Sequence, residues 1–276
     1  MGNKKVVSVQ DISCYGQCSQ TIALPILSAY GIETAILPSG ILSTHTGCFS
    51  GFTFLDLTDE MVKIVDHWKK EQISFDAIYT GYIGDARQFD IIKDMKPLLN
   101  KGAKIIVDPA MADRGKLYPA LGMDIVEGMK KIICEADIIL PNLTEAAFLL
   151  GIEYKENYSR KEINNIAVSL ANMGAKIVIL TGVSYEEGRI GAVAYDATTK
   201  MYTEYFVEKQ VESYHGTGDI FSSLIIANLL NEKDLEYALK DACDFIVEAI
   251  KATLGDDNHP YGVKFEKVLA KRANII

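Results

Sequence analysis

The chain of 276 residues is 49% hydrophobic, which is enough for one large core in a single domain spanning residues 1–276. Its formal net charge is −9 and its basic residues form no block, so we expect no surface for nucleic acid or for an anionic membrane. The five cysteines are odd in number and scattered, and neither a signal peptide nor a membrane-spanning stretch is seen, which favours a cytoplasmic protein with reduced thiols.

Strand and helix patterns alternate along the whole chain. In chain order they predict a strand at 5–9, a helix at 20–30, a strand at 33–37, a helix at 59–70, a strand at 77–80, a helix at 89–100, a strand at 104–107, a helix at 124–134, a strand at 137–140, helices at 144–150 and 159–173, a strand at 176–180, strands at 191–196 and 201–207, and helices at 220–230, 235–253 and 263–273. The helix at 159–173 begins with a capping box formed by Ser159 and Glu162.

This alternation favours an α/β fold with a mostly parallel central sheet and helices on both faces. The strands at 191–196 and 201–207 are predicted to form an antiparallel pair across a polar turn. The region at 40–58 has weak periodicity and several small polar residues, so it is a candidate lid or substrate-side insertion.

Residues 215–219, which read HGTGD, precede the apolar helical run at 220–230. Gly216 and Gly218 let the backbone pass close to a bound group, and the unpaired N–H groups of the helix start attract an anion such as phosphate. A carboxylate at such a place is useful if Asp219 takes a proton from an attacking hydroxyl. The pattern therefore indicates phosphoryl transfer to an alcohol. The alternative is a glycine-rich turn in which Asp219 only caps the helix.

Polar residues follow most of the predicted strands, and in an open parallel sheet the carboxyl ends of the strands share one edge, where ligands bind. Asp108, Asn142 and Glu145 offer oxygen ligands that, together with substrate phosphates, suit magnesium. Each residue taken alone also fits an ordinary turn or a helix cap. The residues are Asp11, Ser13, Tyr82, Asp108, Asp113, Asn142, Glu145, Thr181 and Gly182.

Four short segments, in order and at fitting intervals, carry a family resemblance. Residues 43–47 read STHTG and are similar to the S-N-H-T-G segment, 80–82 read TGY, 140–145 read LPNLTE and are similar to T-P-N-x-x-E, and 216–219 read GTGD. Together they make the chain resemble the pyridoxal/pyridoxamine kinases of the ribokinase superfamily. The resemblance implies a ribokinase-like three-layer sandwich and ATP-dependent phosphorylation of the 5′-hydroxymethyl group of pyridoxal, pyridoxine or pyridoxamine.

The resemblance also implies roles for single residues. Asp219 would activate the 5′-hydroxyl, and the amides of Gly216, Thr217 and Gly218 would hold the transferring phosphate. The residues implied for Mg²⁺ and the ATP phosphates are Asp108, Glu145 and Asn142, partly through water. Asp113 and Thr181 would lie near the phosphates and a potassium-type cation, and Gly182 would contact ATP. Thr46 and Tyr82 would line the pyridine pocket, with the loop after the first strand closing over the ring. The partners implied are the B6 vitamer, ATP and a second copy in a homodimer.

Several positions depart from the family pattern. Relatives carry Gln-Ser-His after the first strand, whereas this chain has residues 10–13 reading QDIS, so either Ser13 replaces the missing serine or Asp11 contacts the ring. Charge complementarity suggests the hypothesis that Asp11 favours pyridoxamine over the aldehyde. Leu140 stands where relatives often have Thr, and one cation ligand would then be a backbone carbonyl.

Rival functions remain open beside this interpretation. His215 precedes the signature as in some hydroxymethylpyrimidine kinases of thiamine synthesis, which supply the alternative substrate. A sugar or nucleoside kinase fits the N-terminal segments less well. A catalytically silent B6-binding protein is a third possibility, although a binder has no use for a base such as Asp219.

Overall fold

The structure is a computed structural model that describes residues 4–119, 121–212 and 214–272. Its strands are β1 (Lys5–Ser13), β2 (Glu33–Leu42), β3 (Phe54–Asp56), β4 (Phe75–Thr80), β5 (Leu99–Val107), β6 (Ala112–Asp113), β7 (Lys116–Leu117), β8 (Ile138–Ile139), β9 (Ile177–Val183), β10 (Arg189–Asp196) and β11 (Met201–Glu208). Its helices are α1 (Gln20–Ala29), α2 (Thr58–Lys70), α3 (Arg87–Asp94), α4 (Met123–Ile133), α5 (Leu143–Leu150), α6 (Arg160–Ala171), α7 (Thr217–Leu230), α8 (Leu235–Thr253) and α9 (Phe265–Arg272).

Nine of the described strands form one sheet in the order β11-β10-β9-β8-β5-β4-β1-β2-β3. The six strands from β9 to β2 in that order run parallel, and β3, β10 and β11 pair antiparallel at the two edges. Strand order reverses between β1 and β4, so the carboxyl ends of these two strands open a crevice where ligands bind in such sheets. The predicted mostly parallel α/β sheet is confirmed.

Helices cover both faces of this sheet, which gives three layers. One core contains buried side chains of α2, α3, α4, α5 and α6 against residues such as Val7 and Val9 of β1. The other core contains side chains of α1, α7, α8 and α9 against residues such as Val6 and Tyr79. Successive β1 residues enter opposite cores because side chains alternate across a strand.

Helix α7 is almost entirely buried. Its residues from Ile220 to Asn228 are all buried, and it packs against α1 and α8. A helix that is apolar on every side belongs in the interior, so the sequence of α7 accounts for its place. Its N-terminus therefore lies at a fixed position beside the sheet.

The predicted helix at 89–100 is wrong at its C-terminal end. Helix α3 ends at Asp94, a 3₁₀ turn covers Lys96–Leu98, and β5 already begins at Leu99. Pro97 explains the break, because it has no N–H to donate and disfavours the helical conformation of the residue before it.

The region at 40–58 is more regular than its weak periodicity indicated. Strand β2 continues to Leu42, and β3 returns beside it, pairing Leu42 with Phe54 and Gly40 with Asp56. The candidate lid is thus reduced to the loop at 43–53. The predicted last helix extended to Ala273, which lies outside the described residues; α9 itself ends at Arg272. Within the described ranges, no helix is both long and apolar enough to cross a bilayer.

Candidate active site

The N-terminus of α7 begins at a glycine that no other residue could replace without rearrangement. Gly216 has φ +81°, and a Cβ built on it would lie 2.0 Å from the carbonyl oxygen of Gln17. Ile220 makes the first intrahelical hydrogen bond, back to the carbonyl of Gly216. The N–H groups of residues 217–219 therefore have no acceptor within the helix and form an anion-binding turn.

Asp219 lies in the first turn of α7, where it lines the cavity described below. Burial, and then the negative charges of Asp108 and Asp11, raise the pKa of Asp219 from 3.8 to about 7. A carboxyl group with a pKa near neutral pH is well suited to accept a proton and pass it on. The site thus places a potential general base beside an anion-binding turn.

Asp11 and Ser13 lie at the carboxyl end of β1, beside the crevice between β1 and β4. Asp11 is 4% exposed, and its Oδ2 accepts the Ser13 hydroxyl at 2.9 Å. Burial raises the pKa of Asp11, while its hydrogen bonds with Ser19 and Ser13 oppose that rise. Because the charge of Asp11 acts on Asp219, the two carboxylates lie within electrostatic reach of each other.

Asp108 follows β5, and its Oδ2 accepts the hydroxyl of Ser222 from α7 at 2.6 Å. Burial raises the pKa of Asp108 to about 6. Burial and the charge of Asp108 raise the pKa of Glu145 as well. Two neighbouring carboxyl groups with raised pKa values form a site that a cation would stabilise.

Asn142 and Glu145 form the capping box of α5. The Asn142 side chain accepts from the N–H of Thr144 at 2.8 Å and of Glu145 at 2.9 Å, while Glu145 Oε2 accepts from the N–H of Asn142 at 2.8 Å. Glu145 Oε1 also accepts from the N–H of Met111 at 3.2 Å. Both side chains therefore cap α5, as the alternative interpretation of the sequence expected. A cation would contact Glu145 through its remaining lone pairs or through water.

A cavity of about 400 Å³ runs from β5 and β8 to the start of α7. It brings together all the residues predicted for nucleotide, metal and phosphate. These are Asp108, Asp113, Asn142, Glu145, Thr181, Gly182, Gly216, Thr217, Gly218 and Asp219. The residues predicted for the other substrate do not line this cavity; they are Asp11, Ser13, Thr46 and Tyr82.

One wall of the cavity is apolar, and sequence reasoning missed it. It consists of Ile190, Val207, Cys243, Ile246, Val247 and Ile250. The apolar spacing of α8 is a signal for a buried helix face, but it does not distinguish a face that packs on the core from one that also borders a ligand cavity. Such a wall is suited to a planar apolar group.

The polar part of the cavity is strongly acidic. The carboxyl groups on its lining belong to Asp108, Asp113, Glu145, Glu208, Glu212 and Asp219. Lys209 is the one lysine or arginine among the described lining residues. A polyphosphate could not enter such a field without bound cations, because like charges at close range repel strongly.

The loop at 43–53, which carries Thr46, is fixed to two other segments of the chain. His45 is buried, its Nδ1 accepts the N–H of Gly47 at 3.0 Å, and its Nε2 therefore carries the proton toward the carbonyl of Tyr261 at 3.1 Å. A Cβ on Gly47 would lie 2.5 Å from the ring of His215. The loop that carries Thr46 is thereby packed against the turn before α7.

Tyr82 follows β4, at the crevice between β1 and β4, and is half-buried. Burial, and secondarily the charge of Asp11, raise the pKa of Tyr82 to about 12, so its hydroxyl stays protonated. Gly81 beside it leaves room for the Gln10 side chain, whose Oε1 would lie 2.2 Å from a Cβ at that position. These contacts place Tyr82 and Asp11 around the same end of the crevice.

The chain is similar to known kinases both in sequence and in structure. The family model described as phosphomethylpyrimidine kinase matches residues 50–262. A protein of Bacteroides thetaiotaomicron described as a candidate phosphomethylpyrimidine kinase, crystallised with pyridoxal, is 38% identical with a TM-score of 0.94, over 99% of this chain and 96% of that one. Pyridoxal kinase from Lactobacillus plantarum is 27% identical with a TM-score of 0.91, over 99% and 98% of the two chains.

A further relative matches over a shorter stretch. The hydroxymethylpyrimidine/phosphomethylpyrimidine kinase of Aquifex aeolicus is 34% identical over 150 residues, which are 53% of this chain. The matched stretch spans 56% of the length of that relative. The similarities therefore include kinases for two different heterocyclic alcohols.

Proposed function

This chain belongs to the phosphomethylpyrimidine and pyridoxal kinase family of the ribokinase-like superfamily, and on that premise we propose that it phosphorylates vitamin B6. The reaction is transfer of the γ-phosphoryl group of ATP to the 5′-hydroxymethyl group of pyridoxal, pyridoxine or pyridoxamine. One kinase domain spanning residues 1–276 would carry it out.

One observation carries this proposal: Asp219 and the anion-binding turn share the end of one cavity. The N–H groups of residues 217–219 would hold the phosphoryl group, and Asp219 would take the proton from the hydroxyl that attacks it. Because phosphoryl transfer depends mainly on positioning and charge stabilisation, this pair supplies most of the chemistry required. A pKa of about 7 lets Asp219 hold that proton and release it near neutral pH.

The acidic cavity supports a role for cations. Within the described residues, no group of three His, Cys, Asp or Glu side chains could hold a metal ion. Asp108 and Glu145 would instead hold Mg²⁺ together with phosphate oxygens and water, as this ion prefers. Magnesium supplies neutralisation of phosphate charge when bound. We place a potassium-type cation near Asp113 and Thr181, and the nucleotide base against the wall of α8.

The substrate would be held at the other side of Asp219. Asp11, Ser13, Thr46 and Tyr82 would contact the ring. The Bacteroides thetaiotaomicron relative, crystallised with pyridoxal, supports a B6 vitamer. Hydroxymethylpyrimidine is the second candidate substrate, favoured by the family match and by the Aquifex aeolicus relative. Both molecules present a hydroxymethyl group on a planar nitrogen heterocycle, so one base and one anion site can serve either.

The proposal also covers the oligomeric state and the cellular compartment. The chain would work as a homodimer in the cytoplasm, where its thiols stay reduced; all five cysteines are free. Light scattering on the purified protein tests the dimer.

Product identification tests the reaction. The protein is incubated with magnesium-ATP and each heterocyclic alcohol in turn, and the product is examined by mass spectrometry and phosphorus NMR. We expect a phosphate ester on the 5′-carbon of at least one B6 vitamer. A phosphate ester on hydroxymethylpyrimidine alone would assign the second candidate, and binding of B6 without any ester would assign the silent binder.

A further inference from the structure

The loop between α8 and α9 carries a backbone carbonyl that two other loops share. The carbonyl oxygen of Tyr261 accepts the backbone N–H of Gln17 at 3.2 Å. The same oxygen accepts the Nε2–H of His45 at 3.1 Å. Gln17 lies on the β1–α1 loop at 14–19, whereas His45 lies on the loop at 43–53. One carbonyl oxygen therefore joins three loops that are distant in the chain.

The two loops that bond to this carbonyl also contact the turn at the start of α7. A Cβ on Gly216 would lie 2.0 Å from the carbonyl oxygen of Gln17, so the β1–α1 loop approaches the anion-binding turn closely. A Cβ on Gly47 would lie 2.5 Å from the ring of His215, so the loop at 43–53 contacts the residue just before that turn. Each loop is therefore held by α7 and by the α8–α9 loop.

The α8–α9 loop has contacts of its own that fix the position of this carbonyl. His259 Nδ1 donates to the carbonyl of Gly262 at 2.9 Å, and the rings of His259 and Tyr261 pack with centroids 4.2 Å apart. The Tyr261 ring also packs on Tyr15 of the β1–α1 loop, with centroids 4.9 Å apart. A Cβ on Gly262 would lie 2.6 Å from Cβ of Gln17, so the two loops leave no room between them there.

We propose that the α8–α9 loop is a strap for the vitamer site: through the Tyr261 carbonyl it positions the loop that follows Ser13 and the loop that carries Thr46. The proposal rests on the proposed function, because these two residues need positioning for a ring only if a vitamer binds there. Tyr261, Gln17 and His45 do not line the nucleotide cavity. We therefore expect loss of the strap to weaken vitamer binding and to leave nucleotide binding in place.

Two substitutions of His45 separate its bond to the strap from its bond within its own loop. His45→Asn puts an oxygen where Nδ1 accepts the Gly47 N–H, but its side chain is too short to reach Tyr261. His45→Gln puts an amide N–H where Nε2 donates to the Tyr261 carbonyl, but it offers no acceptor to Gly47. Both variants lose the imidazole ring. The difference between them therefore reports the bond to the strap.

The strap predicts that His45→Asn raises KM for the vitamer about fivefold or more, the value of one hydrogen bond, whereas His45→Gln raises it less than about twofold. KM for magnesium-ATP should stay within about twofold in both, and kcat should change less than the vitamer KM, as expected for lost substrate binding. His67→Asn, at an exposed histidine on α2, is the matched control and should keep wild-type kinetics. Equal vitamer KM values for the two His45 variants would overturn the inference.

Hydrogen–deuterium exchange, read by mass spectrometry, tests the strap without any turnover. Peptides from 43–53 should exchange faster in His45→Asn than in His45→Gln, because a loop that loses an anchoring bond opens more often. Tyr261→Ala removes the ring that packs on Tyr15, so it should speed exchange in both 14–19 and 43–53. Unchanged protection of α7 in every variant shows that the fold is intact.

The exchange data also keep this inference separate from the proposed function. Wild-type exchange rates in both loops of Tyr261→Ala would overturn the strap. If the loops exchanged as expected but the wild-type protein phosphorylated no heterocyclic alcohol, the proposed function would be overturned, and the α8–α9 loop would still hold the two loops.

Discussion

The hydroxyl of Ser222 donates to the carboxylate of Asp108 at 2.6 Å. Ser222 lies three residues after Asp219 on α7, so both side chains project from the same face of that helix. A single buried helix therefore positions Asp219, the proposed base, and also restrains Asp108, at the proposed cation end of the cavity. The two halves of the site keep a fixed distance because they share this element.

Asp219→Asn tests the base. The amide keeps the shape of the side chain, but it cannot take a proton. We expect the variant to stay folded and to lose at least about a hundredfold in kcat, the scale of one acid–base contribution. Steady-state kinetics beside a circular dichroism spectrum checks this. Near-normal turnover in a folded variant would remove Asp219 from the role.

The same substitution should stabilise the protein in a pH-dependent way. The pKa of Asp219 is about 7 in the folded state against its ordinary value of 3.8, so the folded state retains a proton that the unfolded chain releases. The stability linked to this group is present below about pH 4 and is lost as pH rises through 7. We expect Asp219→Asn to exceed wild type by at least about 1 kcal/mol at pH 8 and to lose this advantage near pH 4.

Urea unfolding of both proteins at the two pH values measures the difference. Asp90→Asn, at an exposed acid on α3, is the control and should show no such gain. An advantage of Asp219→Asn that was equal at pH 4 and pH 8 would contradict the raised pKa.

Asp108 and Glu145 should respond differently to loss of charge. Both oxygens of Glu145 accept backbone N–H groups, so Glu145→Gln turns an amide NH₂ toward one of these donors. We expect a loss of about 1–3 kcal/mol in unfolding free energy, the cost of an unsatisfied buried donor. Asp108→Asn relieves a buried charge whose pKa is raised, so it should be at least as stable as wild type at pH 8. It should also weaken binding of Mn²⁺, used as a probe in place of Mg²⁺, to the protein–nucleotide complex about tenfold. Equal stability of wild type and Glu145→Gln would contradict this division.

Asp11 offers a test of vitamer preference. A buried carboxylate near the ring should favour the ammonium group of pyridoxamine over the aldehyde of pyridoxal. We expect Asp11→Asn to lower the ratio of kcat/KM for pyridoxamine to that for pyridoxal by about tenfold, the value of a charge-assisted hydrogen bond. An unchanged ratio would show that Asp11 does not recognise the ammonium group of pyridoxamine.

The polar half of the cavity could be predicted from sequence because parallel strands bring their carboxyl ends together. Asp108 and Thr181 lie far apart in the chain, yet both follow strands of one sheet and both line the cavity. The same logic also named Asp11 and Tyr82, at the ends of β1 and β4, whereas Thr46 lies on the loop at 43–53, whose course no local pattern specifies.

The apolar wall could not be predicted for a different reason. Ile246 and Ile250 of α8 have the spacing of a core face, and burial against protein or against a ligand selects the same residue types. Pro97 is a case in which the sequence held the signal. Proline cannot continue a helix, so α3 ends at Asp94, although the apolar spacing predicted a helix to residue 100.

The most direct test measures ADP release from magnesium-ATP with pyridoxal, pyridoxine, pyridoxamine and hydroxymethylpyrimidine offered in parallel, beside the Asp219→Asn variant. The account predicts turnover on B6 vitamers that exceeds turnover on hydroxymethylpyrimidine and disappears in the variant. Turnover on hydroxymethylpyrimidine alone would contradict the proposed substrate, and no turnover on any of the four would contradict the proposed reaction.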